Sequence, residues 1–326
     1  MSEEINYRKV IAVALADAMR EDDSVLLLGE DVGAAGGAFK TTAGLFEEFG
    51  PRRVRDTPIS EQAIVGAAIG SALCGLRPVA EIMFADFAGV CFDQIANQLA
   101  KYRYMTAGQA QLPVTIRMAN GAGAGFAAQH SQAAENWFLS IPGLKIAVPA
   151  TVPDLYLLLR AAIRDDDPVL VFEHKNLFAL KGSIPRGVAP LRLGVADIVR
   201  QGNDVTMVAT QQMRHRAVEA ADLLVQEGIE ATVIDPRTLI PFDDEAVRAS
   251  LEQTARLMVV QETVQAGSWG ASLIARMVQD HFELFDAPPT LLSTPNTPAP
   301  YAAALEREWL PSVEDIRIGA RELVKW

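Results

Sequence analysis

The stretch EQAIVGAAIGSALCGLRPVAEIM, residues 61–83, holds a helix and a strand, and the way each is written decides the fold. Between Glu61 and Arg77 no side chain is charged. Ile64, Val65, Ala67, Ala68, Ile69, Ala72 and Leu73 leave the helix almost no polar face. Such a helix is expected to be buried nearly all round, its start included. The strand that follows does not alternate polar and apolar residues. A strand of that kind is buried on both faces, as in a parallel sheet covered by helices. The same signature recurs at 24–29 (SVLLLG), 113–119 (PVTIRMA), 144–149 (LKIAVP) and 167–173 (DPVLVFE). Helical spacing lies between these runs, at 6–22, 93–105 and 152–165, with Asn6 as an expected N-cap and Pro153 in a first turn that tolerates it.

The region 181–203 breaks this rhythm with Gly and Pro and reads as a linker. Strand and helix then alternate again: DVTMVAT, MRHRAVEAADLLVQEG, IEATVID, DDEAVRASLEQT, RLMVVQE and SWGASLIARMVQDHF. The expected class is α/β, with two doubly wound domains, 1–182 and 204–326, joined by 183–203. A chain of 326 residues is the right size for two such domains. Half the residues are hydrophobic and 21% are charged, so the chain is globular. Its net charge of −12 argues against nucleic acid, which binds basic faces. The uncharged run from Ala63 to Leu76 falls short of the roughly 20 residues that span a bilayer, so no membrane association is expected. Cys74 and Cys91, both in apolar surroundings, read as buried thiols. The first residues show no apolar h-region, so a cytoplasmic location is expected.

Two places could carry chemistry. Residues 123–128, GAGFAA, fit the GxGxxA of a dinucleotide turn, but nothing acidic lies between Glu135 and Asp154 to hold a ribose, and Pro142 and Gly143 interrupt any long helix. The glycines instead mark a turn where backbone passes close to something. His130 follows that turn, at the exit of a strand, where ligands of open α/β sheets gather. The four histidines have no metal-ligand spacing, and neither a Walker A loop nor a GxSxG elbow occurs. The second place is Glu61. Ser60 can cap the helix, and an acid in the first turn is favourable by itself. A buried acid, however, wants a partner, and that partner can be a ligand.

The blocks LLLGEDVG, RVRDTPISEQAIVGAAIGSALCGLRPVAEIMFADF, FDQIANQLAKYRYM, AAQHSQ, IPGLKIAVP, IRDDDPVLVFEHK, VIDPRTLIPFDDEAV and PAPYAAALE, in this order, resemble the beta subunit of the thiamine-diphosphate-dependent dehydrogenase component of 2-oxo acid dehydrogenase complexes. The resemblance implies a transketolase-like pyrimidine-binding domain followed by a transketolase C-terminal-like domain. It implies that Glu61 hydrogen-bonds the aminopyrimidine of thiamine diphosphate, that Phe87 packs on that ring and that Glu30 sits behind the cofactor. It implies that His130 stands near the substrate or an incoming lipoyl group. Val114, Ala162, Ile163, Asp165 and Asp167 match a potassium site built mainly from backbone oxygens, with Asp167 where Asn is common. The chain has no Gly-Asp-Gly segment for the diphosphate and magnesium. The family therefore implies half a site, completed by an alpha subunit in an α2β2 heterotetramer that serves a lipoyl acyltransferase core. The implied reaction is oxidative decarboxylation of a small 2-oxo acid, pyruvate first, with acyl transfer to a lipoyl group. Acetoin cleavage is the alternative, to which MFADFAGVCFDQI and FEHK lean, and a non-catalytic α/β binding subunit is a third.

Overall fold

The computed structural model describes all residues except 1–3, 186 and 190, so the linker expected at 183–203 lies partly outside the described residues. The chain forms two compact units. One contains the chain up to Asn120 together with Trp137–Leu193, the other Gly121–Asn136 together with Gly194–Trp326. Residues 121–136 thus cluster with the second unit although they precede the boundary expected near 182.

The first unit contains strands β1 (Glu4–Asn6), β2 (Val25–Gly29), β3 (Val54–Asp56), β4 (Arg77–Phe84), β5 (Thr115–Asn120), β6 (Lys145–Ala147), β7 (Val169–His174) and β8 (Lys181–Ser183). Its helices are α1 (Tyr7–Glu21), α2 (Leu45–Arg53), α3 (Glu61–Leu73), α4 (Tyr102–Met105) and α5 (Val152–Arg164). Strands β6-β7-β5-β4-β2-β3 lie side by side, all parallel, while β1 and β8 form a small antiparallel pair. The five strands expected from non-alternating runs are thus present. Val25 and Leu27 of β2 join one core with α1 and α5. Their neighbours Leu26 and Leu28, on the other face by strand periodicity, are buried as well. Burial of both faces is what removed the alternation from the sequence.

Three local expectations are corrected. Asn6 and Ser60 stand at N-cap positions but neither side chain makes a capping hydrogen bond. The stretch 93–105 is not one α-helix: Gln94–Leu99 is a π-helix, with the Ala100 N–H donating to the Ile95 carbonyl at 3.0 Å, and α4 follows as a separate turn. Helix α3 is not buried all round. Ile64, Val65, Ala68, Ile69 and Ala72 are buried, while Gln62, Ala63, Gly66, Ala67, Gly70 and Leu73 are exposed, and Cys74 just beyond is exposed rather than buried. The outer face is built of small uncharged residues, which hydropathy patterning cannot tell from a core face.

One charged cluster crosses the middle of the sheet. Arg117 on β5 donates to Glu173 on β7 through Nε at 2.8 Å and Nη2 at 2.6 Å, and pairs with Glu81 on β4. All three are buried. Burial pushes both carboxyls above the usual glutamate range, against the pull of Arg117.

The second unit contains β9 (Asp197–Arg200), β10 (Val205–Ala209), β11 (Ala231–Asp235), β12 (Thr238–Ile240), β13 (Leu257–Val260) and β14 (Thr290–Leu292), with helices α6 (Gln211–Val225), α7 (Asp244–Thr254), α8 (Trp269–His281), α9 (Ala303–Trp309) and α10 (Val313–Val324). Its sheet runs β14-β13-β10-β11-β9, parallel except for β9. Helices α6 and α10 share a core with β10, β11 and β13. Strand β9 lies inside the stretch read as a linker. It is short and incompletely buried, so it leaves no hydrophobic run. Among the described residues no helix is long and apolar enough to cross a membrane.

Candidate active site

In the first unit the polar side chains of interest follow the carboxyl ends of parallel strands, where an open α/β sheet presents its crevice. Gly29 ends β2 and Glu30 follows it. A Cβ on Gly29 would stand 2.9 Å from the Glu81 carbonyl, so β2 and β4 approach too closely there for a side chain. The Thr57 N–H donates to the Gly29 carbonyl at 2.9 Å, and the Gly33 N–H to Asp56 Oδ1 at 2.6 Å. These bonds tie the segment leaving β2 to the segment that enters α3, and so bring Glu30 beside Glu61.

Glu61 is the first residue of α3 and is half-buried. Among the described residues no donor reaches its carboxylate. Its charge is felt by two neighbours. Burial, with the charges of Asp31 and Glu61, raises the Glu30 carboxyl above the glutamate range. Burial, with Glu61 adding, pushes the Cys91 thiol up to about 12, which keeps it protonated and unreactive. Cys91 in turn contacts the carbonyls of Phe87 and Ala88. Phe87 sits in the 3₁₀ turn Ala85–Gly89 after β4, half-buried. Its ring meets Phe84 edge-on at 5.4 Å, and Phe84 meets Phe39 at 5.4 Å with the Lys175 ammonium 5.6 Å over its own ring. Of the residues marked out in the sequence, Glu30 and Glu61 are close enough for their charges to interact, and Phe87 and Glu61 share Cys91 as a neighbour. Cys91 and Lys175 were not marked out as site residues. Both lie in apolar or strand-like runs that give no local signal of a site.

The raised titration of Glu30 has a consequence for stability. An acid that binds its proton more tightly in the folded state opposes folding once ionised. The penalty is absent below the ordinary glutamate range and grows as pH rises through the raised value. Glu30→Gln should therefore raise the melting temperature of this chain at neutral pH and leave it unchanged near pH 3, below the usual carboxyl range of about 4. Melting curves at the two pH values check this, and a lower melting temperature at neutral pH would contradict it.

The residues matched to potassium also take part in the chain's own hydrogen bonds and ion pairs. The Ile163 and Asp165 carbonyls accept from the Arg77 guanidinium at 2.8 and 2.7 Å, the Ala162 carbonyl from the Asp165 N–H at 3.2 Å, and the Val114 carbonyl from the Val169 N–H at 3.0 Å. Lys145 bridges the Asp165 carboxylate (2.7 Å) and Asp167 (3.3 Å), and Arg103 pairs with Asp167. Each of these carbonyl oxygens accepts a hydrogen bond from the chain's own donors and has a second lone pair. Among the described residues no cluster of His, Cys, Asp and Glu is arranged to hold a metal.

His130 belongs to the loop 121–136, in the second unit, and is half-buried. This is also where the glycines expected at a close approach lie. Gly121, Gly123 and Gly125 have φ of +82°, +90° and +74°, and Ala127 +59°. The Ala122 N–H donates to the Glu262 carboxylate. The Gly123 and Gly125 N–H groups donate to Glu306 at 2.8 and 3.1 Å. What the glycines approach is thus a pair of carboxylates that come from far along the chain.

Residues 3–181 match the transketolase pyrimidine-binding domain and residues 194–316 the transketolase C-terminal domain. A split-gene transketolase, solved as an inactive beta4 tetramer, shares the fold with a TM-score of 0.80 over 98% of this chain and 99% of its own, at 23% identity. The fold and the two domain matches together define a transketolase-like protein. The acetoin:2,6-dichlorophenolindophenol oxidoreductase beta subunit of Bacillus subtilis is 46% identical over 97% of this chain and 96% of its own length. A mitochondrial pyruvate dehydrogenase E1 beta subunit (beta-2) of Oryza sativa is 42% identical over 97% of this chain and 85% of its own. The chain belongs to the family of beta subunits of thiamine-diphosphate-dependent 2-oxo acid and acetoin dehydrogenases, and is an oxidoreductase subunit.

Proposed function

We propose that this chain is the pyrimidine-binding half of a dehydrogenase that cleaves acetoin, with pyruvate as the second substrate reading. The observation that carries the site is Glu61: a half-buried carboxylate to which no described residue donates, whose charge acts on a second acid, Glu30, and on Cys91 beside the Phe87 turn. These residues fit one end of thiamine diphosphate. Glu61 would accept from the pyrimidine ring and hold a proton at the ring nitrogen, Phe87 would pack on the ring face, and Glu30 would lie behind it. When bound, the cofactor supplies an electron sink for carbanion chemistry. His130 would move a proton at the lipoyl acceptor.

No Gly-Asp-Gly segment occurs in the chain. This reading therefore puts the diphosphate and magnesium on an alpha subunit, in an α2β2 assembly that serves a lipoyl acyltransferase core in the cytoplasm. It keeps the domains expected at 1–182 and 204–326, with potassium as a further ligand at the carbonyls named above. Acetoin is favoured by the 46% identity to an acetoin enzyme's subunit, and pyruvate is retained on the 42% identity to a pyruvate dehydrogenase subunit.

The test is reconstitution. The chain is purified alone and with an alpha partner that carries the Gly-Asp-Gly segment, and thiamine-dependent dye reduction is measured with acetoin and with pyruvate. The lone chain should give no turnover and the mixture should be active, faster with acetoin. Robust activity from the lone chain would end the half-site reading, and a preference for pyruvate would reverse the order of substrates.

A further inference from the structure

The loop that follows β5 has a left-handed residue at every second position from Gly121 to Ala127. Alternation of this kind turns successive peptide N–H groups toward one side and makes a concave set of donors that attracts an anion. Here the anion is part of the protein. Glu306 Oε1 accepts from the Gly123 N–H at 2.8 Å and Oε2 from the Gly125 N–H at 3.1 Å, and Glu262 accepts from the Ala122 N–H. Glu306 is 4% exposed and Glu262 9%, so these charge-assisted bonds are largely shielded from water. At its far end the loop is fixed again, where Asn136 Oδ1 accepts from the Trp269 N–H at 3.0 Å, at the start of α8. His130 lies between the two anchors.

We propose that Glu306, assisted by Glu262, is a positioning residue that sets the path of this loop and through it the placement of His130. The proposal rests on the role given to His130 above. The chemistry asks for a carboxylate. Both oxygens accept, one from each of two N–H groups. A glutamine offers a single acceptor and turns an NH2 group toward the other donor. An aspartate keeps the charge and both acceptors but is one methylene shorter and does not reach as far toward the two N–H groups.

The experiment uses the assembled enzyme with the parent chain, Glu306→Gln, Glu306→Asp, His130→Ala and the Glu306→Gln/His130→Ala double variant. Three quantities are read: amide hydrogen exchange across 121–132, dye reduction, and reductive acylation of a free lipoyl domain. Glu306→Gln should speed exchange in the loop and slow lipoyl acylation by about 10- to 100-fold, the range for one lost hydrogen bond to a charge, with dye reduction much less affected. Glu306→Asp should fall between parent and Gln, which keeps the test open if the Gln variant does not assemble. The double variant should be no slower than His130→Ala.

Unchanged exchange and unchanged acylation in Glu306→Gln would overturn the proposal. So would equal losses in both assays, with the double variant losing the product of the two single effects, because Glu306 would then serve the fold alone. If His130→Ala proves silent in both assays, the role of His130 falls, and faster exchange in Glu306→Gln still reports the latch.

Discussion

Glu61→Gln in the assembled enzyme should slow proton exchange at the thiazolium carbon of bound thiamine diphosphate by about 10³-fold, equivalent to about 4 kcal/mol of barrier. Glutamine keeps the size and one hydrogen bond but cannot hold the proton as a carboxylate does. If Glu61 served only the start of α3, its replacement would cost about 0.3–1 kcal/mol of stability and nothing in exchange. The measurement is acid-quenched hydrogen–deuterium exchange read by NMR, beside calorimetric binding of the cofactor and melting curves. Binding should persist within a few-fold, and the melting temperature should move little. Parent-like exchange, or a change confined to melting, would leave Glu61 as an ordinary first-turn acid.

Arg117→Met should cost about 3–5 kcal/mol of stability, the usual penalty for removing one partner of a buried ion pair. For a unit of this size that corresponds to a fall in melting temperature of roughly 6–20 °C. The effect has a pH signature. Without Arg117, Glu81 and Glu173 fold best as neutral acids, so stability should be lost as pH rises through their raised titration range. Replacing the whole cluster, with Glu81→Gln and Glu173→Gln added, should recover much of the loss because no buried charge is then left unpaired. Melting curves of the single and triple variants from acid to neutral pH check both statements. A single variant that melts like the parent would mean that water reaches these carboxylates.

The parallel sheet of the first unit could be read from the sequence because its strands are buried on both faces. Runs such as VLLLG then stand out without alternation, and their order with helices α1 and α5 between them follows. The π-helix Gln94–Leu99 could not be read, since what sets it apart is its i→i+5 backbone bonding, and six residues hold too few turns for a side-chain pattern to show it. Helix α10 carried a signal that hydrophobic patterning alone passes over: Ser312 and Asp315 form a reciprocal capping box at its start. Glu61 was legible because it is isolated in an uncharged run. Glu30 and Phe87 became site residues only through the family resemblance; the charges of Glu30 and Glu61 interact, and Phe87 and Glu61 share Cys91 as a neighbour. Glu262 and Glu306 had no local signal. Their partners lie 140 and 183 residues earlier in the chain, and nothing around either glutamate differs from an ordinary acid.

That separation also sets a schedule. At translation rates of roughly 5–20 residues per second, Glu306 leaves the ribosome's active centre on the order of 10–40 s after Gly123. For that interval the Gly123 and Gly125 N–H groups lack the carboxylate that accepts from them in the folded chain. A nascent chain stopped before residue 306 can complete the sheet of the first unit and still hold His130 on a loop that lacks its two bonds to Glu306. A residue synthesised much later is thus what finishes a segment laid down long before it.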